Sequence, residues 1–200
     1  MGFSLAPGIS YAETAGRRIF LDLRRDRYFC LGEAADAAFA ARVGSGPLSP
    51  HHTNALQALA AANILVDDPL GECPRPCRTM TLTGSALDAD PQPKASMLRV
   101  VPAASAIQRA KRHVRTRPLA QVCARLAAAR NRVSERTDRD LNQGVSDLAA
   151  SYAAAGRIVT TLNHCLPVAV AMMRQCIRSG IPARLTMGIK IQPFEAHAWV

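Results

Sequence analysis

Between Asp67 and Ser96 no regular secondary structure can run far. Asp67-Asp68-Pro69, Gly71, Pro74, Pro76, Gly84, Pro91 and Pro93 interrupt every period. Proline fixes φ and lacks an N–H donor, and glycine loosens the backbone. The chain therefore reads as three parts: a domain over residues 1–70, a linker over 71–98 and a second domain over 99–200. A length of 200 residues is enough to bury a core without metals or disulfides. The longest apolar run, Cys165 to Met173, has nine residues, well short of the roughly 20 that span a bilayer. The opening MGFSLAPGIS has no basic segment leading into a long apolar one. It also carries Ala6 where a myristoylation signal has Ser or Thr. A cytoplasmic protein with no membrane partner is expected.

The formal charge of +10 is unevenly spread. Residues 1–70 hold six basic and seven acidic side chains, net −1, while residues 71–200 carry net +11. Most of that excess lies in 99–139, with eleven basic against two acidic residues. Such a balance raises nucleic acid as a partner. However, a DNA reader would place its positive charge on the reading domain, and the first domain is net negative. Six cysteines without a secretory signal are read as reduced thiols. Cys73 and Cys77 form a C-x₃-C pair with no second Cys/His pair at zinc-finger spacing, so no metal is expected.

Tyr11–Thr14, Arg18–Leu23 and Arg27–Leu31 have the composition of three short strands, with turns at Gly16 and at Arg24-Arg25-Asp26. An alanine-rich helix is expected from Gly32 to Val43, ended by Gly44-Ser45-Gly46-Pro47. A second helix, capped by Thr53 or Asn54, is expected through Ala62, followed by a short strand or wing at Ile64–Val66. Three strands with two or three helices make a small winged-helix-like domain. Helices are expected over 102–118 and 119–135, split by Pro118, and over Asp147–Ala155. The overall class is α+β.

The last forty residues carry the chemistry. Thr160, Thr161 and Asn163 are candidate caps. Leu166, Ala169, Val170, Met173, Cys176 and Ile177 keep helical spacing, Pro167 fits a first turn, and Gly180-Ile181-Pro182 ends the helix. The helix therefore spans about 164–179 with Cys165 at its start. A strand follows over Ala183–Ile191, then a turn at Gln192-Pro193, then a second strand from Ala196 to Val200. A cysteine at a helix N-terminus meets the positive end of the helix dipole, which favours thiolate. A histidine on a neighbouring strand, here His197, can take the thiol proton and return it to a leaving amine. Helix-terminal N–H groups can hold an oxyanion. A Cys–His acyl-transfer site is one reading. Two unconnected side chains, the cysteine a small buried hydrophobe, are the other. His164 is a second candidate base, although successive helical residues are turned about 100° apart.

The segment HCLPVAVAMMRQCIRSGIPARLTMGIKIQPFEAHAWV resembles the transglutaminase-like cysteine-protease core of lasso peptide maturation B proteins. The likeness rests on Cys165-Leu166, on Gly180-Ile181-Pro182-Ala183, on Arg184-Leu185 with Gly188-Ile189, and on Pro193-Phe194-Glu195-Ala196-His197-Ala198-Trp199-Val200. It implies Cys165 as nucleophile and His197 as base. The family's triad ends with an Asp about a dozen residues after the histidine, on the next strand. Val200 is the last residue here, and Asp138, Asp140 and Asp147 come in the wrong chain order. A truncated protease domain, its third triad member beyond Val200, is therefore expected.

Arg18-Ile-Phe-Leu-Asp-Leu-Arg-Arg-Asp-Arg-Tyr-Phe-Cys-Leu-Gly32 resembles the RiPP recognition element, the leader-binding domain of peptide-modifying enzymes. The order of the two parts matches fused B proteins. The resemblance implies binding of a precursor's leader peptide and its removal. A separate asparagine-synthetase-like, ATP-using cyclase then closes the ring. Leader binding would add a strand at Arg27–Leu31, using Tyr28, Phe29, Cys30 and Leu31, with the Thr53–Ala62 helix as the other wall. No cofactor is expected in this chain, because no GxxxxGK[ST] occurs and ATP would belong to the cyclase. The competing class is a winged-helix-like nucleic-acid-binding regulator with a basic helical region.

Overall fold

The computed structural model describes residues 2–68, 70–78, 95–132, 141–159, 164–191 and 194–200. The chain divides into two units, Met1–Thr81 with Pro118–Ala120, and Leu82–Arg117 with Gln121–Val200.

The first unit holds β1 (Phe3–Leu5), β2 (Ile9–Thr14), β3 (Arg17–Asp22), β4 (Arg27–Phe29), α1 (Glu33–Val43), α2 (Pro50–Ala61) and β5 (Leu65–Asp67). β2, β3 and β4 form one antiparallel sheet in that order, so β4 is an edge. Thr14 pairs with Arg17 across a two-residue turn. Ala15 and Gly16 there have φ of 47° and 70°, a left-handed pair that glycine makes affordable. The expectation of three strands missed β1, which pairs antiparallel with β5. Phe3 is buried, but a three-residue strand closed by Pro7 and Gly8 gives too short a period to read. The second helix starts at Pro50, so neither Thr53 nor Asn54 is its cap. Ser49 caps it, its hydroxyl accepting from His52 N at 3.2 Å, and proline suits the first helical position.

Tyr11, Phe20 and Phe39 make the centre of this core, with Tyr11–Phe20 stacked at 5.4 Å and Phe39 edge-on to both. Residues 73–77, within the stretch read as linker, belong to this unit. Cys77 N donates to Tyr11 O at 2.7 Å, the Tyr11 hydroxyl reaches Pro74 O at 3.5 Å, and the Cys73 thiol donates to the carbonyls of Arg42 and Val43. Prolines forbid a helix there but leave an extended strap free to bond a neighbouring strand.

The second unit carries α3 (Met97–Thr116), most of α4 (Leu119–Arg130), α5 (Leu141–Ile158), α6 (Cys165–Arg178), β6 (Thr186–Lys190) and β7 (Glu195–Trp199). α3 begins five residues earlier than expected and contains Pro102. The lost backbone bond is outweighed by burial of Val100 and Ala103, which extend the stripe through Ile107 and Ala110. α5 runs through Gly156 for the same reason. The cost of a helical glycine, about 1 kcal/mol, is small against the burial of Ala149, Tyr152 and Ala155. The Gln192-Pro193 turn and the candidate caps Thr160, Thr161 and Asn163 lie outside the described residues. Among the described residues no helix is long and apolar enough to cross a membrane.

Candidate active site

α6 is built as its sequence predicts. Ala169, Val170, Met173 and Cys176 are buried along one side, and the cap at Ser179 and Gly180 (φ 68°) closes it before Pro182. Its first residue is Cys165, half-buried, with His164 as N-cap. His164 makes no side-chain cap bond, and its carbonyl accepts from Val168 N at 3.2 Å. The first N–H groups of a helix have no partner within it, and Pro167 removes one of them, so Cys165 and Leu166 supply the free donors at this end.

β6 and β7 form an antiparallel hairpin in which Gly188 opposes His197 and Met187 opposes Ala198. β7 packs against α6, with Ala198 buried. The Cys165 thiol donates to Ala196 O at 3.9 Å, one residue before His197. The structure thus brings the cysteine at the helix start to the strand that carries the histidine. Among the described residues no hydrogen bond joins Cys165 Sγ to the His197 ring. Catalytic contacts are commonly long before substrate binds.

His197 is exposed and stacks on Trp199 at 5.9 Å with the rings 26° apart. A Cβ added to Gly188 would lie 2.5 Å from Trp199 Cη2 and 2.9 Å from Cζ3. Gly188 is therefore the floor on which the indole lies, and the indole supports the imidazole. Sequence reasoning missed this pair. The signal was present: His197 and Trp199 alternate on one strand face, and a glycine inside a strand marks a close approach.

No carboxylate bonds His197 among the described residues. Asp147 is engaged by Arg99 and Gln143, and Asp138 and Asp140 lie outside the described residues. The second thiol of α6, Cys176, is pushed up to about 11 by burial, so it stays protonated and unreactive. A cavity of about 430 Å³ lies away from Cys165, among α3, α5 and the far end of α6, with Tyr152, Gln175 and Ile181 in its wall. Burial pushes the Tyr152 phenol up to about 12. Among the described residues no group of His, Cys, Asp or Glu could hold a metal ion.

A model of the transglutaminase-like superfamily matches residues 97–200. The chain belongs to that superfamily. The superfamily includes cysteine proteases and acyl transferases, and the match covers α3 through β7, the whole span that positions Cys165 and the His197 strand. Cysteine-peptidase-type chemistry is consistent with that membership. No curated protein and no solved structure matches the chain.

The residues expected to bind a peptide sit in the first unit. Phe29 of β4 stacks on Phe20 at 5.3 Å and joins the core, so it faces inward. Tyr28 lies on the opposite strand face, half-buried and paired in register with Leu21. Cys30 is exposed, and Leu31 packs on the core. The main neighbours of α2 are α1 and β5.

Proposed function

We propose that this chain is a leader peptidase of lasso peptide biosynthesis. In this reading the first unit is a winged-helix-like recognition element that takes the leader of a ribosomal precursor as an added strand on the β4 edge, beside Tyr28. The second unit cuts the leader away. Cys165 attacks the scissile carbonyl, and His197 takes the thiol proton. The N–H groups of Cys165 and Leu166 steady the oxyanion, and the protonated imidazole gives its proton to the leaving amine. Water then hydrolyses the thioester. The freed core passes to a separate ATP-using cyclase.

The observation that carries this reading is the Cys165 thiol at the first turn of α6, 3.9 Å from Ala196 O on the strand that bears His197. The sequence resemblance over residues 165–200 supports the choice of a lasso precursor as substrate. The test is Cys165→Ala in the complete protein, incubated with precursor and followed by mass spectrometry. Leader removal is expected to fall to background while leader affinity, by fluorescence polarisation, stays within about twofold. Cleavage retained by the alanine variant would remove the assignment.

A further inference from the structure

The cavity of the second unit holds about 430 Å³, inside the range of about 300–1,000 Å³ usual for ligand sites. Leu98, Pro102, Leu148, Tyr152 and Ile181 give it an apolar wall. Two charged side chains line it, Arg99 and Asp147, and they are paired with each other. The wall is therefore neutral and gives an ionised ligand no counter-charge.

Gly144 of α5 lines the same cavity. Glycine weakens a helix relative to alanine, so a helical glycine needs a reason. Packing within the fold does not supply one. Outside its own helix, a Cβ at Gly144 would meet only Ile181 Cδ1 within 4 Å, at an ordinary 3.6 Å. What the missing side chain does is keep the cavity open. Two polar groups there also lack partners. Pro102 has no N–H to give the Leu98 carbonyl four residues before it. The half-buried side-chain amide of Gln175 makes no hydrogen bond among the described residues. A carbonyl and a primary amide together match a peptide group, which has one N–H and one C=O. Leu98 is 86% exposed, and Val101, three residues on and on the same side of α3, is 60% exposed. Apolar surface thus continues out of the cavity along α3.

We propose that this cavity binds an uncharged, apolar stretch of a peptide chain. One aliphatic side chain is buried against Leu148, Tyr152 and Ile181, and its backbone amide pairs with Gln175 and the Leu98 carbonyl. Gln175 is ten residues beyond Cys165 on α6, which is about 15 Å along the axis. The site is therefore separate from the thiol, and binding there needs no chemistry at Cys165. A small free amide offers the same pairing but does not extend over Leu98 and Val101, whereas a peptide does both.

Titration of the ¹⁵N-labelled full chain with N-acetyl-Leu-Leu N-methylamide, followed by two-dimensional NMR, tests this. Saturable shifts are expected at the Gln175 side-chain NH₂ and the Gly144 N–H. Gly144→Met fills the cavity, weakens binding about tenfold or more, and melts no lower than the wild type, since the helix gains a better former. Gln175→Glu keeps the side-chain size but loses the donor, and weakens binding about fivefold or more, whereas Gln121→Glu, the same change on exposed α4, weakens it less than about twofold. A capped tetraleucine binds about threefold tighter than the capped dipeptide, and Leu98→Ser removes that gain. The proposal is overturned by no saturable shifts, by affinity within twofold of wild type in Gly144→Met or Gln175→Glu, or by equal weakening in Gln121→Glu. Tighter binding of the cyclic dipeptide cyclo(Leu-Leu) than of the capped tetrapeptide would assign the site to a small amide, and tighter binding of octanoate to a fatty acid. Either result overturns the peptide assignment.

Discussion

Asp22 is fully buried, and its carboxylate organises the turn between β3 and β4. Oδ1 accepts from Arg24 N at 2.9 Å, Arg25 N at 3.2 Å and Arg24 Nε at 3.2 Å, and Oδ2 lies 3.5 Å from the Arg25 guanidinium. Burial alone would raise its pKa, but the Arg24 side chain and the backbone donors of Arg24 and Arg25 together hold it below the ordinary value. A carboxylate with a depressed folded pKa stabilises the fold above its unfolded pKa of about 3.9 and loses that contribution as pH falls through the folded value. Asp22→Ala is expected to cost about 2 kcal/mol in urea unfolding at pH 7. The gap from wild type should close only as the pH drops below the usual carboxylate range. A gap unchanged down to pH 2 would show that packing, not charge, is what Asp22 supplies. The turn itself was legible in Arg24-Arg25-Asp26. The buried carboxylate was not, because an Asp in an apolar-alternating strand looks like a solvent-facing residue.

The β6–β7 hairpin depends on one close contact between elements. Trp199 is the only tryptophan in the chain, so its emission reports on this hairpin alone. Gly188→Ala forces a methyl into the indole, and overpacking of that kind costs about 1–3 kcal/mol. The ring must shift, and His197, stacked on it, loses its support. Emission of the variant should move and become more quenchable by acrylamide. Precursor cleavage should fall about tenfold or more, while Cys165 still reacts with iodoacetamide. Unchanged emission would mean the indole does not rest on Gly188. At this scale the strands of both hairpins and helix α6 were readable from alternation, helical spacing and the Gly180-Ile181-Pro182 stop. The starts of α2 and α3 and the end of α5 were not. Local cap and breaker signals at Thr53, Pro102 and Gly156 were overruled by the Ser49 cap and by burial against other helices.

Across the whole molecule, binding and cutting are assigned to different units, so they should fail separately. Tyr28→Ala, on the β4 face away from Phe20, is expected to weaken leader binding about tenfold, roughly 1.4 kcal/mol, by fluorescence polarisation. The kcat at saturating precursor should be unchanged, the reverse of the Cys165→Ala pattern. Loss of kcat with unchanged affinity would put Tyr28 outside the binding edge. The sequence by itself determined the kinds of element and their order, the break after Asp67, the uneven charge, and the places of a cysteine at a helix start and a histidine on a following strand. Each of these is set by periodicity, by proline and glycine chemistry or by charge, all local properties of the chain. Tertiary structure alone decided that β1 joins β5 and that residues 73–77 bond back to Tyr11 and Arg42. It also decided that Cys165 meets the carbonyl of Ala196 and that Trp199 lies on Gly188. These depend on which surfaces meet after folding, and spacing along one chain carries no record of distances between residues far apart in it.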